Sequence, residues 1–126
     1  MTKYDVLLLG DLNVDVVLRV DRLPEPDEDV QATDFKIRPG GVGYNTGVAL
    51  HELGLTPYLI GGVGDDFFGR YVVEEMIGRG LDVRGVKVIN GVRTGVVSVL
   101  VLPTGERAMV SFRGANKYVT LSAQDL

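Results

Sequence analysis

The sequence contains no cysteine and a single histidine, His51. That removes a disulfide framework and a thiolate metal centre, and it argues against zinc, whose protein sites gather several Cys or His ligands. No metal site is expected. Runs of Lys and Arg are missing too. With 13 Lys and Arg against 17 Asp and Glu, the net charge is −4 and the sequence pI near 4.9. A nucleic-acid partner would need a basic patch that this balance does not supply. Apolar runs such as Val6–Leu9 and Val99–Leu102 fall far short of the roughly 20 residues that cross a bilayer. Thr2 to Asp5 is not the basic n-region that opens a signal peptide. No repeat or low-complexity tract interrupts the chain. The expectation is a cytoplasmic protein without nucleic-acid or membrane partners. Its 126 residues, 45% hydrophobic and 24% charged, suit one globular domain.

Glycine is plentiful, with 17 residues, and it is concentrated where it informs most. Residues 40–54 read Gly-Gly-Val-Gly-Tyr-Asn-Thr-Gly-Val-Ala-Leu-His-Glu-Leu-Gly. Glycines at 40, 41 and 43 permit positive φ and close approach of another molecule to the main chain, at an entropic cost that a plain connector need not bear. They deliver Asn45 to the start of an apolar run with helical spacing. Helix N-terminal N–H groups lack internal partners and carry the positive end of the dipole, so a polar ligand near Asn45 would meet ready donors.

Along the chain, Tyr4–Leu9 is a short apolar run that fits a strand buried on both faces of a parallel sheet. Val14–Val20 reads as a half-exposed strand, Leu23–Asp29 as a Pro- and acid-rich loop, and Val30–Ile37 as a second exposed strand closing before Pro39. Gly43–Leu53 has helical spacing, with Tyr44, Val48 and Leu55 on one face and Gly54 as its stop. Pro57–Ile60 is a further strand, Gly61–Gly64 a tight turn, and Phe67–Ile77 a second helix with Phe68, Val72 or Val73, and Met76 as its stripe. Val86–Ile89 completes a strand–helix–strand–helix–strand order, which argues for right-handed βαβ units. Gly95–Leu102 and Arg107–Phe112, joined by Pro103-Thr104-Gly105-Glu106, form a hairpin. The fold class expected is α/β: a partial Rossmann-like parallel sheet with flanking helices, and a small β-sheet lid. The core covers about 1–13, 39–92 and 114–126, and the lid about 14–38 and 93–113.

Several residues stand out as candidates for chemistry. Asn13 and Asp15 follow the first strand and, two apart on extended backbone, point the same way. They either converge on a ligand at the strand's C-terminal end, where open α/β sheets bind, or satisfy a turn. Gly40, Gly41 and Asn45 either shape a helix entry or contact a ligand, and three glycines in four residues favour contact. Asn45 offers both donor and acceptor, suiting paired hydroxyls. Asp66 reads as the N-cap of the second helix. Arg113 is either a solvated strand-end cation or a fork for a substrate carboxylate or hydroxyl pair. His51, inside the first helix, reads as structural.

Gly40, Gly41, Asn45, Gly47 and Gly54 fit a Gly-Gly, Asn, small-residue, Gly pattern. Flanking it are Gly10-Asp11-Leu12-Asn13-Val14-Asp15, Gly61-Gly62-Val63-Gly64-Asp65-Asp66-Phe67-Phe68-Gly69 and Arg113-Gly114-Ala115-Asn116. In order and over nearly the whole chain, these segments resemble the first part of the ribokinase-like (PfkB) carbohydrate kinases. The resemblance implies that Asn13, Asp15 and Asn45 bind sugar hydroxyls, that the Asp-x-Phe-Gly at Asp66 is structural, and that Arg113 sits where some members engage acidic sugars. It also implies a lid over the sugar that commonly forms a homodimer contact, and ATP with Mg2+ as cofactors of the full-length protein. Val42 departs from the lysine that ribokinase proper often carries in this loop, which weakens a ribose-specific assignment.

The family's second signature, Asp-Thr-x-Gly-Ala-Gly-Asp, does not occur in the sequence, and with it are missing the general-base aspartate and the backbone donors that stabilise the transferring phosphate. The expectation is therefore a sugar-binding portion of an ATP-dependent kinase acting on a sugar or nucleoside, without catalytic residues of its own, inactive alone and binding no nucleotide tightly. The alternative is a truncated, noncatalytic chain that self-associates or pairs with a missing half through an exposed sheet edge. A dinucleotide-binding module is excluded by spacing, since Thr46 and Phe67 stand where the third glycine of Gly-x-Gly-x-x-Gly belongs. A P-loop is excluded by the lack of any Gly-Lys pair.

Overall fold

The computed structural model describes residues 3–125; the expected core bounds at 1 and 126 lie outside them. Two sheets share the chain. Strands β1 (Val6–Leu9), β4 (Pro57–Gly64) and β5 (Val86–Ile89) form a three-stranded parallel sheet in the order β1-β4-β5. Strands β2 (Asn13–Arg19), β3 (Asp34–Gly40), β6 (Gly95–Val101) and β7 (Arg107–Phe112) form a mixed sheet in the order β3-β2-β6-β7. Within it β2 runs parallel to β6, and β3 and β7 are the antiparallel edges. Helices α1 (Val42–Glu52) and α2 (Phe67–Gly78) are the crossovers that parallel pairing demands.

The core lies between the helices and both sheets. Leu12, Val14, Leu59, Val63, Val72 and Met76 are almost fully buried in one cluster, with Tyr44 and Leu81 beside them. The α2 stripe is as its periodicity predicts, with Val72 and Met76 buried and Phe68 and Val73 partly so. Asp66 caps that helix through the Gly69 N–H at 2.8 Å.

Three local expectations fail. β1 is not buried on both faces: Leu7 and Leu9 are 48% and 57% exposed, because the face that packs, toward α1 and the core, is the one that carries Leu8. Gly61–Gly64 is not a turn but the second half of β4, paired with Val86–Ile89. Glycine serves there for close approach, since a Cβ at Gly64 would lie 2.4 Å from the Val92 carbonyl oxygen. Finally, β3 spans Asp34–Gly40 rather than Val30–Ile37 and includes Pro39. An edge strand tolerates proline, whose missing N–H need not serve a ladder.

Candidate active site

The first turn of α1 docks directly on the end of β1. A Cβ at Gly10 would fall 2.6 Å from the Gly43 Cα, and the Gly43 N–H donates to the Asp11 carbonyl at 2.9 Å. Gly41 adopts φ 93°, and a side chain there would also strike the Asp11 carbonyl oxygen, at 2.4 Å. Only glycine fits such a contact. Gly41 is the N-cap of α1, and neither a side-chain cap nor an acidic first-turn residue compensates that terminus. The Gly43 N–H is taken by Asp11, while the positive end of the dipole meets no acidic side chain in the first turn.

Immediately beyond β1, the chain enters β2 and brings the candidate side chains to the same place. Asn13 lies opposite Gly40, and Asp15 opposite Arg38, across the β2–β3 pair. Gly40 makes room for the carboxylate, since a Cβ there would meet Asp15 Oδ2 at 2.6 Å. Asp15 and Asn45 line one cleft of about 310 Å3, together with Arg38, Tyr44 and Arg79. Burial raises the Asp15 carboxyl above the ordinary aspartate range, opposed by Arg38, whose Nε is 3.7 Å away, and more weakly by Arg107.

Asn13 is held in one orientation. Its Oδ1 accepts from the Asn116 Nδ2 at 2.8 Å, and its Nδ2 lies against Gly41. Asn116, 7% exposed, also donates to the Arg113 carbonyl and accepts from the Leu12 N–H. With its oxygen engaged, Asn13 has its NH2 group left as donor. Beside it, Asp15 offers acceptors.

Arg113 stands apart from this group. Its guanidinium pairs with Asp11 at 3.0 Å and lines a neighbouring cleft with Gly10, Asn116 and Lys117. The structure thus brings Asn13, Asp15, Gly40, Gly41 and Asn45 together, with Arg113 next door. His51 is exposed near the end of α1, its ring against Gly80.

Two supporting residues escaped the sequence reading. Asn116 was visible only as part of a motif; what singles it out is a buried amide whose bonds must all be met. Thr94, 1% exposed, donates its hydroxyl to Asp66 at 2.6 Å and its N–H at 2.9 Å, and accepts from the Gly64 N–H. Burial opposes ionisation of Asp66, but these bonds and the Gly69 N–H outweigh it and hold the carboxyl below its ordinary range. No sequence pattern pairs residues 28 apart.

The architecture is one of parallel β-strands with crossover helices, a mixed sheet rising from their ends, and a polar cleft where the two meet. The chain belongs to the pfkB family of carbohydrate kinases, whose model matches residues 3–125. An ATP-dependent ribose-1-phosphate kinase from Halopiger xanaduensis is 38% identical over 114 residues, covering 90% of this chain and 38% of the relative. The ribokinase of Bacillus subtilis is 29% identical, covering 92% of this chain and 39% of the relative. Among solved structures, Arabidopsis thaliana ribokinase complexed with ribose and ATP superposes with a TM-score of 0.86 at 25% identity, over 98% of this chain and 41% of that one. The chain therefore spans well under half the length of the relatives it matches. The α/β fold with a parallel sheet, flanking helices and a second small sheet is the one the sequence implied.

Proposed function

We propose that this chain is the acceptor-holding portion of an ATP-dependent kinase that phosphorylates a sugar or nucleoside hydroxyl. The convergence of Asp15 and Asn45 on one cleft beside the fixed amide of Asn13 carries this reading. Enzymatic phosphoryl transfer depends mostly on positioning and electrostatics. Asp15 accepts from acceptor hydroxyls, the Asn13 NH2 donates to an acceptor oxygen, and Asn45 does either. Gly40 and Gly41 let the ligand reach the backbone of the α1 entrance. The mixed sheet is the lid over that cleft, formed by about 14–38 and 93–113. The core comprises the remaining segments.

When bound, Mg-ATP supplies the phosphoryl group. Among the described residues no cluster of three or more His, Asp or Glu side chains is arranged to hold a metal ion. In this reading the acceptor is the ligand of this chain, which by itself transfers nothing. Among acceptors, the relatives' names favour pentoses: ribose, deoxyribose and ribose 1-phosphate.

Calorimetric titration of the 126-residue chain with these compounds tests the reading. Saturable binding is expected, weakened at least about tenfold by Asp15→Asn, the scale of a lost charge-assisted hydrogen bond. An Asp15→Asn chain that binds as tightly as the parent would refute the cradle. Stoichiometric phosphosugar formation from ATP by the chain alone would refute its inactivity.

A second observation favours a homodimer through the lid. Phe35, Val110 and Phe112 are 56%, 75% and 52% exposed and share one sheet face by register, while among the described residues β7 pairs with no strand on its outer side. Apolar side chains beside an open edge suit a second copy of the same sheet. A solution mass that stays monomeric at every concentration would remove it.

A further inference from the structure

The two ends of a side-chain amide are told apart by the partners they meet, and Asn116 meets two that leave no choice. Its Oδ1 accepts from the Leu12 N–H at 2.9 Å, and its Nδ2 donates to the Arg113 carbonyl at 2.9 Å. A backbone N–H cannot accept and a carbonyl cannot donate, so this side chain is locked one way round. The second Nδ2 hydrogen goes to Asn13 Oδ1 at 2.8 Å. Polarity set by the main chain thus passes through one buried amide to another, whose NH2 is left beside Gly41 at the α1 entrance.

The lock sits where the mixed sheet joins the core. Leu12 and Asn13 lead into β2, Gly95 begins β6, and Arg113 follows β7. A Cβ at Gly95 would strike Asn13 Oδ1, Asn116 Nδ2 and the Arg113 carbonyl together, so glycine is what leaves these groups their space. The next residue after Arg113, Gly114, takes φ 55°, and the Ala115 N–H donates to the Arg93 carbonyl at 2.8 Å. The roots of three strands are therefore gathered around Asn116, which is 7% exposed.

A purely structural role explains only part of this. The Leu12 N–H and the Arg113 carbonyl are main-chain groups that need partners where water is excluded. The bond to Asn13 is not needed on that ground, because Asn13 is partly exposed and water could serve its oxygen. Among the described residues no other hydrogen bond holds the Asn13 side chain.

Building on the proposed acceptor site, we infer that Asn116 is a positioning residue for sugar binding: it aims the Asn13 amide so that the cradle offers an NH2 donor at Asn13 and carboxylate oxygens at Asp15. The two residues share one face of β2, so the ligand meets them side by side. A hydroxyl facing Asn13 must use its oxygen, and one facing Asp15 its hydrogen. Released from Asn116, the Asn13 amide is free to turn over and set its own oxygen beside the Asp15 carboxylate.

The test is a double-mutant cycle on the affinity for ribose and for ribose 1-phosphate, read by calorimetric titration of the parent chain, Asn13→Ala, Asn116→Asp and the double variant. Asn116→Asp keeps an oxygen for the Leu12 N–H and removes the NH2 group. Each single substitution is expected to weaken binding about tenfold. Once Asn13 is Ala, Asn116→Asp should change affinity less than about twofold, because its effect runs through Asn13. Losses that add across the pair would overturn the inference and leave the acceptor site standing. Parent-like affinity in either single variant would do the same. Should Asn116→Asp not fold, side-chain amide spectra of the parent decide. The Asn116 NH2 should exchange with solvent more slowly than that of exposed Asn90, and saturating ribose should shift the Asn13 NH2. Exchange at Asn116 as fast as at Asn90, or an Asn13 signal that ribose leaves unmoved, would overturn the inference. Failure of the parent to bind either compound would remove the acceptor site, and the inference with it.

Discussion

The two sheets handle their side chains in opposite ways. In the parallel sheet, β4 is flanked by β1 and β5 and is buried along almost all its length. Its side chains are consumed by packing, and at 61, 62 and 64 it carries none. That sheet contributes to the cleft through where its strand ends fall. In the mixed sheet the period-2 alternation separates two faces. One presents Asn13, Asp15 and the basic side chains Arg19, Lys36, Arg38 and Arg107, and the other packs Val14 and Val16 against the core but exposes Phe35, Val110 and Phe112 farther out. A strand enclosed on all sides acts by geometry, whereas a strand with one open face can also act by chemistry. Stability should therefore be most sensitive to substitution in the first sheet, and ligand recognition in the second.

The largest expected effect breaks the parallel sheet. A Cβ at Gly64 would meet only backbone, at 2.4 Å from the Val92 oxygen and 2.7 Å from the Thr94 nitrogen, and backbone cannot swing aside. Gly64→Ala should cost about 3 kcal/mol or more, the upper range for overpacking, or prevent accumulation of folded protein. Gly105, in the β6–β7 turn, has nothing within 4 Å of a Cβ and only its φ of 88° to strain. Gly105→Ala should cost about 1–2 kcal/mol. Urea unfolding of both variants orders them, and the reverse order would erase the contrast between the sheets.

A smaller effect sharpens the comparison at the seam. Asp66 joins the start of α2 to Thr94, which leads into β6, and Thr94 in turn receives the end of β4. Asp66→Ala loses a helix cap and two further bonds in a part-buried site, about 2–3 kcal/mol together. If urea midpoints showed a loss within about 0.5 kcal/mol, as at an ordinary surface position, the seam would carry no load between the sheets.

Much of this was legible beforehand, for physical reasons. The helices and β5 announce themselves by periodicity and glycine stops, and Asp66 by its place before a helix. Gly40, Gly41 and Asn45 stood out because three glycines in four residues exceed what a helix entry requires, whereas the local pattern of Asn13 and Asp15 also suits a turn and only the family resemblance joined them to the group. The errors came from glycine and proline, whose local meaning is ambiguous. Gly61–Gly64 looked like a turn because close approach to neighbours such as Val92 cannot be seen without the fold. Pro39 looked like a strand stop because edge position is a tertiary property. Asn116, Thr94 and the shared face of Arg38 and Arg107 depend on register across distant strands, which no local pattern encodes. The open face of β1 at Leu7 and Leu9 was missed for the same reason.

The smallest effect concerns Asp15, where chemistry and stability pull against each other. Its carboxyl is raised by burial, with Arg38 and Arg107 compensating only in part. A carboxyl whose folded-state pKa exceeds its unfolded value favours folding while both states are protonated, and that contribution is lost as pH rises through the folded pKa. The parent chain should thus give up a little stability as pH climbs just above the ordinary aspartate range near 4. Asp15→Asn keeps the shape beside Gly40 and removes the titration. Thermal unfolding should show the variant no less stable than the parent at pH 7, with the difference closing at pH 3. Its affinity for acceptor should nevertheless fall, because a carboxylate accepts where the amide half of Asn donates. A variant that was less stable at pH 7 and kept the parent's pH slope would show that Asp15 serves the fold. Its place on the open face would then be structural, and the division of labour between the sheets would fail at its most exposed point.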